Sequence, residues 1–178
     1  GYPSWRKPAN RQVLTLPTFQ ISRYLITYAQ FQTFIDAPDG WKNPEWWEGL
    51  SADNQHKAQP GDQAFKFWNH PRENVSWYDA MAFCRWLSTK YNLTPVAGAT
   101  PPLQLERGLG GEVIRLPTEQ EWERAARWTD GRQYPYGNTF DPAKGNTRET
   151  GIGQTSAVGI SPDGVSVEGI HDLSGNVW

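Results

Sequence analysis

The stretch RLPTEQEWERAAR, Arg115 to Arg127, decides how the rest of this sequence is read. Thr118-Glu119-Gln120-Glu121 is a capping box, in which a hydroxyl takes the amide three residues on and an acidic side chain reaches back. Trp122, Ala125 and Ala126 then share one helical face, and Gly131 lies beyond as a stop signal. Glu119, Glu121 and Glu123 invite a reading as paired catalytic carboxylates. Residues two apart point to different sides of a helix, so these three mark a helix start, where the dipole favours acidic groups.

The same signature occurs twice upstream. Thr27-Tyr28-Ala29-Gln30 leads into Phe31, Phe34 and Ile35 and ends at Asp36-Ala37-Pro38, because proline restricts the residue before it. Ser76-Trp77-Tyr78-Asp79 opens a longer helix with a predicted buried stripe of Trp77, Ala80, Met81, Cys84 and Leu87. Cys84 on that stripe reads as a small hydrophobe rather than a nucleophile. Short strands are predicted at 12–16, 19–26 and 112–116 from their β-branched and aromatic content. Residues 38–71 and 92–111 read as surface insertions. Gly108, Gly110 and Gly111 in the second lack the Lys-Ser or Lys-Thr of a phosphate loop. From Tyr134 onward the text is turn-forming but punctuated by Tyr, Ile and Val, which indicates ordered irregular loop.

Composition narrows the function classes. A chain of 178 residues suits one domain, 1–178. The net charge is −2 with scattered Lys and Arg, so the footprint of a nucleic-acid binder is missing. No run of 18 apolar residues is present and mean hydropathy is −0.71, which excludes a helical membrane span. The start at Gly1, without a leader pattern, reads as a trimmed N-terminus. A single cysteine excludes an internal disulfide and a cysteine-based zinc site. His56, His70 and His171 lie far apart and read as solvent-facing or hydrogen-bonded loop residues. With 10 Trp, 17 Gly and 14 Pro, the chain reads as a loop-rich fold pinned by buried aromatic anchors.

One stretch offers coordination chemistry. GNTRETGIGQTSAVG, 145–159, supplies the Asn146 amide, the Glu149 carboxylate, the Thr150 hydroxyl and many carbonyls. Calcium takes six to eight such oxygens. A plain surface loop has the same composition, and the acidic spacing of an EF-hand is absent, so both readings stand.

The order of motifs is more specific than any one of them. FQISRYLITYAQFQTFI (19–35), NHPRENVSWYDAMAFCRWLS (69–88), RLPTEQEWERAAR, YPYGN (134–138), GNT (145–147), TSAVG (155–159) and GIHDLSGNVW (169–178) resemble the formylglycine-generating enzyme, or sulfatase-modifying factor, family. The resemblance implies an α+β architecture, a loop-rich variant of the C-type lectin fold with three short helices and small twisted sheets. It also implies calcium. One site would use Asn146 with Thr147, Glu149 or Thr150, and Ile152; a second would use Asn176 with the Glu that follows the Trp in the family's GNVWEW. That Glu and the family's closing segment, with the two reactive cysteines that bind copper in the oxidase, would lie beyond Trp178. Cys84 matches neither cysteine.

Two functions follow from the resemblance. The first is a non-catalytic domain that binds a protein or small-molecule ligand, such as the variable protein of a diversity-generating retroelement or a regulatory module of a bacterial signalling protein, with a bacterial cytoplasmic setting. The second is a copper-dependent oxidase that converts a substrate cysteine to formylglycine. Expected partners are the missing C-terminal segment or other domains of a parent protein.

Overall fold

The computed structural model describes residues 13–50, 59–93 and 113–177. Among them are three α-helices: α1 (Tyr28–Asp36), α2 (Trp77–Lys90) and α3 (Glu119–Arg127). Single 3-10 turns occupy Pro44–Trp47, Pro142–Lys144, Arg148–Thr150 and Pro162–Gly164. No helix among the described residues is long and apolar enough to cross a membrane.

All three predicted capping boxes form. Thr27 Oγ1 accepts from Gln30 N at 3.2 Å while Gln30 Oε1 accepts from Thr27 N at 2.9 Å. Ser76 and Asp79 repeat this at 3.2 and 2.9 Å, and Thr118 and Glu121 at 3.2 and 2.8 Å. Each cap removes an orphan amide and is worth about 1 kcal/mol. α1 ends as predicted, with Ala37 extended at ψ 137° ahead of Pro38. α3 ends before its glycine: Trp128 takes φ 54° at the C-cap. Arg127 ties off the turn by donating to Gly131 O at 2.9 Å and Arg132 O at 2.8 Å.

The core is aromatic and corrects one expectation. Trp41, Trp46, Trp47 and Leu50, in a stretch read as a surface insertion, are buried with Phe31 and Phe34 of α1 and Met81, Phe83 and Trp86 of α2. The short turn is buried because each of two indoles finds an acceptor: Trp46 Nε1 donates to Asp39 O at 2.6 Å and Trp47 Nε1 to Trp41 O at 3.0 Å. Gly40 permits the approach, since a Cβ there would stand 1.9 Å from Phe34 O. Arg85 Nη1 then donates to Trp46 O at 2.9 Å and Glu48 O at 2.8 Å, fastening the turn to α2. The second expected insertion lies outside the described residues apart from Asn92 and Leu93.

The predicted stripe of α2 is too narrow. Met81 and Cys84 are buried, but so are Ala82, Phe83, Trp86 and Ser88, while Trp77 is 47% exposed. The helix is covered on one side by the tryptophan turn and bonded through Ser88 to Ile114 on another, so one face cannot hold all its buried positions. On α3 the two alanines are buried and Trp122 is exposed.

The strand expectations also change. Among the described residues there is no strand ladder, only isolated antiparallel bridges at Thr27–Pro71 and Tyr134–Gly137. Side chains do the pairing that a neighbouring strand would do. Ser88 Oγ accepts from Ile114 N at 2.9 Å while its own proton goes to Cys84 O at 2.8 Å, so a helix hydroxyl holds the segment expected to be a strand at 112–116. The Glu73 carboxylate accepts from Ala64 N and Phe65 N at 2.9 and 3.0 Å. Residues 19–26 are held by single bonds, including Arg72 N to Ile26 O and His171 N to Arg23 O, each 2.9 Å. Small sheets of the expected kind are therefore not formed by the described residues.

Candidate functional site

The second half of the chain folds back on itself through glycines and polar side chains. Gly145 lies against Ser174, where a Cβ would meet the carbonyl oxygen at 2.5 Å. Gly175, at φ 116°, lies against Asn146, where a Cβ would meet that carbonyl at 2.4 Å. Only glycine suits both the conformation and the space there. Asn176 follows at φ 71°, in the left-handed region that asparagine tolerates, and its amide donates to Asn146 O at 2.9 Å.

This approach brings together two of the residues expected to bind cations, Asn146 and Asn176. Asn176 Oδ1 accepts from Ser156 N at 2.8 Å, and its Nδ2 donates to Ser156 O at 3.1 Å. Asn146 Nδ2 faces Gln154 O at 2.8 Å, Ser156 Oγ at 3.2 Å and Asn176 Oδ1 at 3.4 Å. Asp172 Oδ2 accepts from Gly159 N at 2.6 Å and bounds the turn on its far side. Gln154, Ser156 and Asp172 are site residues that sequence reasoning missed. Ser156 and Asp172 lie inside the motifs that carry the resemblance, but nothing local in the sequence says that a loop serine will meet an asparagine 20 positions away.

The other expected residues form a turn of their own. Thr150 Oγ1 accepts from Thr147 N at 3.1 Å and returns its own proton to Thr147 O. Ile152 sits between Gly151 and Gly153, both at positive φ, and is 44% exposed. The Thr147 hydroxyl beside the exposed Glu149 holds that carboxyl below its ordinary value, helped by a backbone amide. Among the described residues no three of His, Cys, Asp and Glu gather as a metal cluster.

Two histidines are described. His70 Nδ1 pairs with Thr155 Oγ1 at 2.9 Å, as a hydrogen-bonded loop residue should. His171 corrects the expectation: it is buried, stacked on Tyr24 with ring centroids 4.8 Å apart, and neither ring nitrogen has a partner. Ring stacking has displaced polar pairing as the reason for its place. Cys84 is buried, and burial pushes its thiol up to about 11. A thiol so placed stays protonated and inert.

A groove of about 410 Å³ runs between the extended segment 14–21 and the end of α3. Leu14, Leu16, Pro17, Phe19 and Ile21 share its lining with Thr18, Thr129 and the ion pair of Arg124 and Glu168 at 3.2 Å. The Arg124 guanidinium rests 4.0 Å over the Trp128 ring, and its Nη1 is buried without a partner.

Comparison with known proteins agrees with the order of motifs. Hercynine oxygenase of Mycobacterium tuberculosis is 30% identical over 97% of this chain and 39% of its own length. Inactive C-alpha-formylglycine-generating enzyme 2 of Mus musculus is 34% identical over 75% of this chain and 39% of its own length. Formylglycine-generating enzyme of Thermomonospora curvata is 28% identical over 94% of this chain and 60% of its own length. The chain thus spans about two fifths of the first two of these relatives. Residues 4–178 match the sulfatase-modifying factor enzyme 1-like domain, and this chain belongs to that family.

Proposed function

We propose that this chain is a binding domain of its family, presenting a groove for a ligand on a loop-rich scaffold of the C-type lectin kind. The observation that carries the reading is the groove itself. Its volume of about 410 Å³ falls in the range of small-molecule sites, and its lining sets Leu14, Leu16, Phe19 and Ile21 beside the charged pair of Arg124 and Glu168. That pairing suits a ligand with an apolar body and an anionic or carbonyl end. The similarity to a relative named as inactive supports the same reading. A retroelement variable protein or a signalling module are forms such a domain would take.

The probe is 8-anilinonaphthalene-1-sulfonate, an apolar ring system with an anionic end. Its fluorescence should rise with the native chain and fall back in Arg124→Gln and in Phe19→Ser. A signal equal in all three proteins would remove the groove from consideration.

A second reading is an oxidase or oxygenase role in a longer protein, which the names of the relatives favour. Copper does not fit the described residues, since the single thiol is buried and no ligand cluster gathers. Oxygen uptake that depends on a cysteine-containing peptide or on hercynine, measured with the full chain, would overturn the binding reading in favour of this one.

Calcium is proposed for the turn at 146–152, where the Asn146 carboxamide, the Thr147 hydroxyl, the Glu149 carboxylate, Thr150 and the Ile152 carbonyl supply hard oxygens. Chelation should lower the melting temperature, because an ion that binds only the native state must stabilise it. An unchanged transition in chelator would refute the assignment.

A further inference from the structure

Residues 61–74 form a closed loop whose ends meet, since a Cβ on Gly61 would stand 2.1 Å from Asn74 O. The loop is braced from inside by Gln63, which is buried and uses every bond its amide allows. Gln63 Oε1 accepts from Arg72 Nη1 at 3.0 Å and Glu73 N at 2.9 Å, and Nε2 donates to Phe65 O at 3.0 Å and Pro71 O at 3.1 Å. From outside, the amides that open α1 hold the loop's carbonyls: Tyr28 N donates to His70 O at 2.7 Å and Ala29 N to Trp68 O at 3.1 Å. Val158 N donates to Asn69 O at 2.9 Å. The tip is thus fixed by main-chain bonds that make no use of its rings.

Those rings face water. Trp68 is 68% exposed and Phe67 is 51% exposed. Trp68 lies 5.8 Å from the half-buried Tyr28 at a tilt of 34°, and Phe67 lies 4.7 Å from His70, so each exposed ring is backed by a second one. The Trp68 indole N–H and the exposed Asn69 carboxamide make no hydrogen bond among the described residues. Charge is balanced around them. The Glu73 carboxylate is spent on Ala64 N and Phe65 N, and Arg72 on Gln63 and Gly61 O, while Asp62 and Lys66 stay exposed with opposite signs.

Size and charge select among occupants. The exposed parts of the two rings come to roughly 300 Å², against about 800 Å² per partner in a stable protein interface. A nucleobase stacks on such a ring but brings phosphate charge that a neutral loop does not balance. We propose that the tip of 61–74 is a binding site for a neutral oligosaccharide of glucose type, whose ring lays a flat face of C–H groups on the Trp68 indole. Hydroxyls at the rim of the sugar take the unspent Trp68 N–H and the Asn69 carboxamide. None of these residues lines the groove proposed for a ligand above, so the two readings stand or fall separately.

The test is calorimetric titration of the full chain with cellohexaose, whose β-linked glucose units expose such faces, alongside Trp68→Ala, Trp68→Phe and Trp122→Ala. The native chain should bind it saturably. Trp68→Ala should weaken binding about tenfold or more, and Trp68→Phe should keep most of it because a ring remains. Trp122→Ala, at another exposed tryptophan on α3, should match the native chain. Removal of an exposed ring opens no cavity, so equal melting temperatures should accompany these differences. No saturable binding by the native chain, or equal binding by Trp68→Ala, overturns the site. Self-association that Trp68→Ala abolishes, with no response to the sugar, overturns it in favour of a second copy of this chain. On the unaltered protein, the Trp68 indole N–H resonance should shift on addition of cellohexaose, and an unmoved resonance overturns the site as well.

Discussion

Replacing Glu121 by glutamine tests the joint between the segment 115–118 and α3. Glu121 is only 7% exposed, and it both caps the helix and grips Arg115, which donates to Glu121 Oε1 at 2.6 Å and Oε2 at 2.7 Å. Glutamine keeps the cap, since it also serves at that position of a capping box. The substitution therefore isolates the ion pair. The Arg115 guanidinium, with the Thr118 amide, brings the Glu121 carboxyl from an ordinary 4.5 down to about 2. A tenfold fall in proton affinity corresponds to about 1.4 kcal/mol, and discounting for the partly hydrated Arg115 leaves roughly 2 kcal/mol at neutral pH. Because the folded-state value is the lower one, this stability is present above 4.5 and is lost as pH falls toward 2. Urea denaturation of both proteins at pH 7 and pH 3 reads the difference. It should be about 2 kcal/mol at pH 7 and less than half of that at pH 3. A difference under about 0.5 kcal/mol at pH 7, or one that does not shrink on acidification, refutes the reasoning.

Further perturbations probe other parts of the fold. Phe34→Ala, at a fully buried site among Phe31, Trp41, Phe83 and Trp86, should cost about 3–5 kcal/mol in chemical denaturation. Ser88→Ala should cost about 1–3 kcal/mol and speed amide exchange at Ile114, since it strips the acceptor from that part-buried amide; exchange at Ile114 unchanged from wild type would count against the hydroxyl pairing. Gly175→Ala should destabilise by more than about 2 kcal/mol, through clash with Asn146 O and the strained φ together. Cys84 should resist a thiol-modifying disulfide reagent in the native chain at pH 8 and react at once in urea, and fast native labelling would show that its burial is wrong.

What the sequence made legible was local. Each helix start rests on a bond between residues three apart, so Thr27, Ser76 and Thr118 announce themselves without knowledge of anything distant. The inert role of Cys84 could be read from its apolar neighbours on the same helix. Strands were misjudged because β-branched content says that a segment will extend, not what will pair with it, and at 113–116 the partner is a serine on α2. The tryptophan turn was misread as surface because its polar spacing hides two indoles that find carbonyls only once the turn has closed. At the candidate cation residues the sequence named Asn146 and Asn176 but not Ser156, through which they meet, because nothing local marks a contact between residues 20 positions apart.

A sheet pairs its strands through the main chain, which does not read side chains, so residues on its open face are free to drift. Among the described residues that pairing has moved into Ser88, Glu73, Asn176 and Asp172, each of which holds a backbone amide of a distant residue. Tolerance to substitution should then follow custody of those amides more than depth of burial. In a library of single variants, half-exposed polar positions in the loops should be as intolerant as aromatic positions in the core, and any attempt to graft new loops onto this scaffold must carry these four side chains with it.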